Sequence, residues 1–186
     1  MTKSIRIPTP IELKNLTRVM QIRGVDVFIH WSVFLVAAIM LANVIKRPLV
    51  TLVGLTSYLG VLLIHEAGHL IAAQKLHCQV FSIELYPVFG LTHFQTTWSR
   101  FDHCVIAWGG VIAQAIVAVP IIIWLKVAGF TSSEPMNAFL AILGPISLAI
   151  AAFNLLPLGR LDGAIAWKLI PEFFRRQQNS RSKYLR

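Results

Sequence analysis

The sequence predicts an all-α polytopic membrane protein with about four transmembrane helices and small β-strand elements at the cytoplasmic surface. Of its 186 residues, 56% are hydrophobic and 13% are charged, whereas soluble domains have about 45–50% and ~25%. The mean hydropathy of +0.68 agrees with this class, as do long apolar runs separated by short polar segments. Together these observations exclude a soluble domain and also a disordered chain, which requires low hydrophobicity.

Four apolar runs are long enough to cross a hydrocarbon core of ~30 Å at ~1.5 Å per helical residue. We expect membrane spans at residues 28–45, 49–76, 104–125 and 135–158. Glycine and proline inside the later runs are compatible with this, because both are more frequent in membrane helices than in soluble ones. The prediction is a single integral-membrane domain over residues 1–186, with a cytosolic lead at 1–27 and a cytosolic tail at 159–186.

The basic residues that give the chain its net charge of +9 are distributed in a way that predicts the topology of these spans. Fourteen of the 17 Lys and Arg residues lie in segments 1–30, 74–103 and 160–186, and the other two loops hold three. By the positive-inside rule, both termini and the middle loop are cytoplasmic. No nucleic-acid partner is expected, because the basic residues are not gathered on one polar face. The expected location is the plasma membrane of a prokaryote or an organelle membrane.

Two segments have the alternating pattern of β-strands. Residues 19–29 are rich in Val and Ile with a glycine and an aspartate near the middle, which predicts a hairpin at the membrane surface. In the loop 79–94, Phe81, Ile83 and Leu85 alternate with Ser, Glu and Tyr, which predicts a strand. This strand belongs either to an ordinary surface hairpin or to an edge to which an extended substrate peptide adds.

An HExxH pattern, formed by His65, Glu66 and His69, lies inside the second apolar run. Residues four apart share a helix face, so the two imidazoles can bind one Zn²⁺ while the glutamate receives a proton from the metal's water. The alternative is a polar patch between packed helices. Three ionisable residues within five positions of a membrane span favour a functional site, because such residues are costly in the bilayer.

A catalytic zinc usually has three protein ligands, so a third is required. Asp162, after the fourth run, is the candidate, although an Asp-Gly pair is also common in turns that end helices. Glu66 lies ~14 Å from Lys75 and ~27 Å from Pro48 along a helix, which places the metal nearer the cytoplasmic face. Asp162 approaches from that same side. Rival ligands from the cytoplasmic loop are His77, His93 and His103.

The motif HEAGH, followed about ninety residues later by NLLPLGRLDG, resembles the site-2 protease family of intramembrane zinc metalloproteases. The resemblance covers most of the chain, including IHWS at the first run, the strand loop and GGVIAQ in the third run. It implies a three-helix zinc metalloprotease core. This chain would be a minimal member with one extra span and without a PDZ or CBS module.

The resemblance also implies roles for individual residues. His65, His69 and Asp162 would bind one zinc ion per chain, and Glu66 would be the general base that activates its water. This chemistry needs a polar cavity that admits water from the cytoplasm. A helical substrate must unwind before cleavage, because its carbonyl groups are occupied by helix hydrogen bonds.

Two amides are further candidates from the same resemblance. Asn154, eight residues before the aspartate, would hydrogen-bond the scissile carbonyl or the oxyanion; packing between helices is the alternative. Gln114 stands where the family commonly has Asn, and it either orients the substrate or packs between helices. Phe89 and Gly90 stand where the family usually has Gly-Gly.

We therefore expect an intramembrane zinc endopeptidase that cleaves within or near transmembrane segments of a single-pass membrane protein in the lipid bilayer. Substrate access would depend on an exposed substrate feature, an accessory regulator or the strand loop. One alternative is a catalytically silent metal- or partner-binding protein of the same fold, which would have no reason to retain Glu66. A metal transporter is another, but the third run has no acidic residue or histidine.

Overall fold

The computed structural model describes residues 15–42, 44–95, 99–159 and 161–184, with side chains up to residue 177. The first 14 residues of the predicted lead lie outside this description. The elements are β1 (Leu16–Ile22), β2 (Val25–His30), α1 (Trp31–Leu41), α2 (Pro48–Lys75), β3 (Val80–Leu85), β4 (Gly90–Phe94), α3 (Arg100–Ala128), α4 (Glu134–Ala141), α5 (Ser147–Asn154), α6 (Gly163–Ala166) and α7 (Leu169–Tyr184). A mainly helical protein with a small sheet is therefore confirmed.

Three helices in the described ranges are long and apolar enough to cross a membrane. They are α2, α3 and the continuous segment Glu134–Asn154, with mean hydropathies of 1.7, 2.2 and 2.0. The last of these joins α4 to α5 through a π-helical turn, Ile142–Ile146, that contains Pro145. Proline has no N–H for the regular helix hydrogen bond, and the wider turn accommodates it. The span ends at Asn154, short of the predicted residue 158, because Pro157 cannot continue it.

Helices α2 and α3 approach each other closely through glycines. A side chain on Gly68 would collide with the carbonyl group of Gly109, and one on Gly109 would contact the Gly68 backbone. Small residues let two membrane helices approach until their backbones touch. Gly68 belongs to the HEAGH motif, so the motif's own glycine brings its histidines against α3.

The first predicted span is not a single helix. Residues 28–30 belong to strand β2, and α1 has 11 residues, or ~16 Å, about half of a hydrocarbon core. His30 ends the strand and caps the helix, because its Nδ1 accepts a hydrogen bond from the backbone N–H of Ser32 at 3.3 Å. In the part of the chain that the structure describes, a fourth full-length helical span is therefore absent. The sheet holds the residues before Trp31 in an extended conformation.

The sheet has the strand order β1-β2-β3-β4. The predicted hairpin at 19–29 corresponds to β1 and β2, which pair antiparallel. Their two-residue turn has positive φ at both Arg23 and Gly24, as in a type I′ turn. Strands β3 and β4 form a second antiparallel hairpin, whereas β2 and β3 are parallel. The strand predicted at residues 81–85 is β3, and because it is paired on both sides it is not an edge to which a substrate strand could add. The parallel pair joins the chain before α1 to the chain after α2.

The sheet lies alongside α2 between Tyr58 and Leu70. A buried apolar cluster joins Leu62 and Leu70 of α2 to strands β2 and β3. At the tip of the second hairpin, the Tyr58 hydroxyl donates to the Pro87 carbonyl at 2.8 Å, about 17 residues or ~26 Å before Lys75. The prediction of strands at the cytoplasmic surface is thus corrected: the second hairpin reaches the depth of the spans. Backbone at that depth is tolerated where protein buries it.

Strand β2 and helix α1 together replace a long helix. Ile29 lies opposite Leu85 in the parallel pair, and the His30 ring stacks on Tyr86 at 4.9 Å, so α1 begins at the depth of the hairpin tip. Six strand residues at ~3.3 Å and eleven helical residues at ~1.5 Å extend ~36 Å. That length is comparable to the thickness of a hydrocarbon core.

Candidate active site

Three side chains predicted as metal ligands lie together. His65 and His69 project from one face of α2, and Asp162 comes from the turn before α6. Asp162 Oδ2 is 2.9 Å from His65 Nε2 and 3.2 Å from His69 Nε2, and the two Nε2 atoms are 3.1 Å apart. Among the described residues, these three form a group that could hold a metal ion.

The other nitrogen of each imidazole is already hydrogen-bonded. His65 Nδ1 lies 2.7 Å from Gln114 Oε1, and His69 Nδ1 lies 2.8 Å from the Ile106 carbonyl oxygen. Amide and carbonyl oxygens only accept, so Nδ1 carries the proton in each ring, and in the neutral imidazole Nε2 then presents a lone pair. Two imidazole nitrogens and one carboxylate oxygen match the ligand set of a catalytic zinc site.

Asp162 supplies the third donor as a carboxylate. Its Oδ2 lies within 3.2 Å of both imidazole Nε2 atoms, each of which presents a lone pair when Nδ1 carries the only proton of the ring. Three electron-pair donors about 3 Å apart repel one another unless a positive charge lies among them. The geometry therefore fits a cation.

Glu66 lies beside the three ligands and is 2% exposed. Its Oε2 accepts a hydrogen bond from Thr92 Oγ of β4 at 2.7 Å. Its Oε1 is buried and has no hydrogen-bond partner in the described ranges. Gly90 lies so close to this carboxylate that no side chain fits there. A buried carboxylate oxygen without a partner is costly, and it leaves one acceptor available for a proton.

Asn154 is the last residue of α5 and is 2% exposed. Its Nδ2 donates to the Ile150 carbonyl at 3.2 Å and reaches the Val88 carbonyl at 3.5 Å. It lines the same narrow pocket as His65 and Glu66. The structure thus brings Asn154 to the candidate centre and leaves its amide beside a peptide carbonyl.

Gln114 also lines this pocket and is fully buried. Its Oε1 faces His65, and its Nε2 donates to the backbone carbonyl and the Oγ of Ser147, both at 3.3 Å. The side chain therefore joins α2, α3 and α5. All six residues predicted for the site lie around one centre.

The rival histidines lie elsewhere. His93 Nε2 pairs with Glu84 Oε1 at 2.9 Å, and the His103 ring packs on Phe94 at 5.4 Å. Burial would raise the pKa of Glu84, but the hydrogen bonds from its neighbours outweigh burial and lower it. His77 follows α2 with φ of 57°. Within the described chain, none of these histidines joins the metal-ligand group.

Sequence reasoning assigned no role in the site to four residues that shape it. Thr92 and Gly90 fit around Glu66, and Gly163 packs so closely on the Leu155 carbonyl that a side chain would displace the turn carrying Asp162. A Cβ at Gly110 would lie 2.8 Å from His65 Nε2 and closer still to His69. In the sequence, the pairs Gly109-Gly110 and Asp162-Gly163 were the signals that could have indicated close backbone approach.

Gly110→Ala is expected to weaken zinc binding at least about tenfold, because the added methyl group displaces both imidazoles from their shared position. The measurement is zinc affinity in detergent by competition with a chelator. Gly60→Ala is the matched control, since a Cβ at that α2 position meets nothing within 4 Å. It is expected to retain zinc affinity, with stability unchanged or raised by up to ~1 kcal/mol. Equal zinc affinity in the Gly110→Ala variant would contradict the prediction.

Comparison with solved structures defines the class of fold. The chain matches the site-2 protease from Methanocaldococcus jannaschii with a TM-score of 0.61 and 19% sequence identity, over 83% of this chain and 71% of that chain. At this identity, the match establishes the fold alone. The chain therefore has the fold of a site-2 protease.

A relative is also found by sequence. The Synechocystis sp. (strain ATCC 27184 / PCC 6803 / Kazusa) protein named "Putative zinc metalloprotease" is 31% identical over 116 residues, and the match covers 56% of this chain and 29% of the relative. The chain thus spans less than a third of the length of that relative. No family model matches the chain. The resemblance predicted from HEAGH and NLLPLGRLDG is confirmed by these two similarities.

Proposed function

We propose that this chain is an intramembrane zinc endopeptidase that hydrolyses peptide bonds within or near transmembrane segments of membrane proteins. The observation that carries this proposal is the convergence of His65, His69 and Asp162, with Glu66 beside them, at a helix long and apolar enough to span a membrane. Ionisable groups at such positions are retained for function. Similarity to a site-2 protease fold and to a protein named as a metalloprotease supports the same reading.

One zinc ion per chain would be held by His65, His69 and Asp162. Bound zinc would supply a water with its pKa lowered toward ~7 and would polarise the scissile carbonyl. Glu66 accepts the proton of the attacking water at its unpartnered Oε1 and then donates it to the leaving amine. Its Oε2 is held by Thr92, which fixes the orientation of the carboxyl group.

Asn154 supplies a hydrogen-bond donor to the reacting peptide. Its Nδ2 already approaches a backbone carbonyl, that of Val88, at 3.5 Å, so a substrate carbonyl can be accommodated by the same amide. A donor directed at the oxygen where charge develops lowers the barrier more than a donor that binds the ground state. The role is therefore orientation of the carbonyl and stabilisation of the oxyanion.

The substrate would bind in an extended conformation along β4. This strand is the last in the sheet order and carries both residues that touch Glu66, namely Gly90 and Thr92. Addition of a substrate strand supplies backbone hydrogen bonds that a peptide loses when it unwinds in the bilayer. A single-pass membrane protein whose span contains Gly, Pro or polar residues meets these requirements most easily.

The proposed topology places both termini on the cytoplasmic side. Three helical crossings and the composite crossing of β2 and α1 make an even number. Basic residues concentrate in the terminal segments 1–30 and 160–186, which hold 12 of the 17 Lys and Arg residues, as the positive-inside rule requires. Glu66 is then nearer the cytoplasmic face, in the plasma membrane of a prokaryote or in an organelle membrane.

Metal removal tests the proposed function. The purified chain, reconstituted with a single-pass substrate whose span carries Gly and Pro, is expected to lose cleavage when a chelator removes its zinc. Activity should return when Zn²⁺ is added and stay absent with Mg²⁺, which prefers oxygen ligands. Cleavage by protein shown to be free of zinc would refute the mechanism.

A further inference from the structure

Gln114 is the side chain with the most complete set of contacts around the candidate metal centre. It is fully buried in the middle of α3. Its oxygen lies 2.7 Å from His65 Nδ1, and its nitrogen lies 3.3 Å from both oxygen atoms of Ser147. Every heteroatom of the amide is therefore occupied by protein, and none is directed at a substrate.

The orientation of this amide is determined by its neighbours. The Ser147 backbone carbonyl can only accept, so the atom of Gln114 that faces it must be the NH₂ group. The oxygen of the same amide then faces His65 Nδ1, which must be the protonated nitrogen of that ring. The opposite nitrogen, Nε2, is left with its lone pair toward His69 and Asp162.

We infer that Gln114, held by Ser147, is a positioning residue that fixes the tautomer and ring orientation of His65 for metal binding. This inference rests on the proposed zinc centre. Groups that accept a hydrogen bond from a ligating imidazole orient the ring and raise its basicity. His69 obtains the same support from the Ile106 backbone carbonyl, which no substitution removes. His65 depends on a side chain, so its support can be tested.

Two substitutions of similar size separate this role from simple packing. Gln114→Leu keeps the volume but removes the acceptor for His65, and we expect zinc affinity to fall by about 10–100-fold. Gln114→Glu retains an acceptor oxygen for His65 Nδ1, and in its protonated form it also retains a donor for the Ser147 carbonyl, so it is expected to keep zinc affinity nearer to that of the unmodified protein. A packing residue would give the opposite order, because leucine suits an apolar interface and a buried carboxyl group does not.

The measurement is zinc affinity by chelator competition on the full chain in detergent, without any protease assay. Gln74→Leu on α2 is the matched control, since the hydrogen bonds that the three candidate ligands make within the described chain do not include Gln74, and the zinc affinity of this variant should not change. Ser147→Ala removes one of the two acceptors that hold the amide and should weaken zinc binding by less than about tenfold. It is a second test if the leucine variant does not fold.

The outcomes are distinguishable. If the unmodified chain binds no zinc, the proposed function fails. If it binds zinc and Gln114→Leu binds equally well, or if Gln114→Glu loses as much affinity as Gln114→Leu, the positioning role is wrong while the zinc centre stands. Unchanged zinc affinity in a folded Ser147→Ala variant would remove Ser147 from the proposal.

Discussion

Glu66→Gln is expected to reduce the rate of substrate cleavage by about 10²–10⁴-fold, the contribution typical of general acid–base catalysis. The amide is nearly the same size and can still accept from Thr92, but it cannot take a proton from the attacking water. Zinc content should remain one ion per chain, because Glu66 is not among the three proposed ligands. The measurements are single-turnover cleavage of a reconstituted single-pass substrate and metal analysis of the same sample.

Glu134→Gln provides the control for this experiment. Glu134 is an exposed residue at the start of α4 whose carboxylate pairs with Arg47 at 3.1 Å, so its loss removes a surface ion pair of little energetic value. Its cleavage rate should match that of the unmodified chain. Undiminished cleavage by the Glu66→Gln variant would exclude the proposed general base, even if zinc is bound.

Asp162→Ala is expected to lower zinc affinity by more than about 100-fold, beyond the loss typical of outer-sphere changes, and to abolish cleavage with it. The variant removes the one ligand that carries a negative charge. Two histidines then remain, fewer than the three protein ligands usual for catalytic zinc. Zinc affinity by chelator competition is the measurement.

Asp162→Asn refines this test, because it preserves shape and an acceptor oxygen while removing the charge. It should bind zinc more tightly than the alanine variant and less tightly than the unmodified chain. Asp26→Asn is a control outside the site, since Asp26 forms an ion pair with Arg18 within the first hairpin at 2.8 Å. If the Asp162→Ala variant retains full zinc affinity, the third ligand lies elsewhere in the chain.

Much of the helical fold could be predicted because long runs of high hydropathy indicate membrane-spanning helices. The runs that contain α2 and α3 are mainly apolar, and their predicted limits lie within four residues of the observed ones. The run at 28–45 misled the same reasoning, because an uninterrupted apolar segment fits a buried strand as well as a helix. Residues 28–30 form a strand because β2 pairs with β3, which lies 56 residues further along the chain.

The candidate site could be predicted where its residues lie close together on one helix or belong to a recognisable sequence motif. His65, Glu66 and His69 share a helix turn, so their sequence spacing already places them together. The sequence made Gln114 a candidate but did not predict what it contacts, because its partners His65 and Ser147 are 49 and 33 residues distant along the chain. Such contacts depend on how α2, α3 and α5 pack, which no local pattern reports.

The parallel pairing of β2 with β3 sets an order of assembly for the chain. Parallel neighbours need a crossover between them, and here the crossover consists of α1 and α2. The sheet can close only after both helices have been synthesised and β3 has followed them. Asp162 is made later still, after α3 and α5. A nascent chain therefore carries its two histidines and glutamate long before the third proposed ligand arrives, and the proposed catalytic centre is completed only after all three long apolar helices have been synthesised.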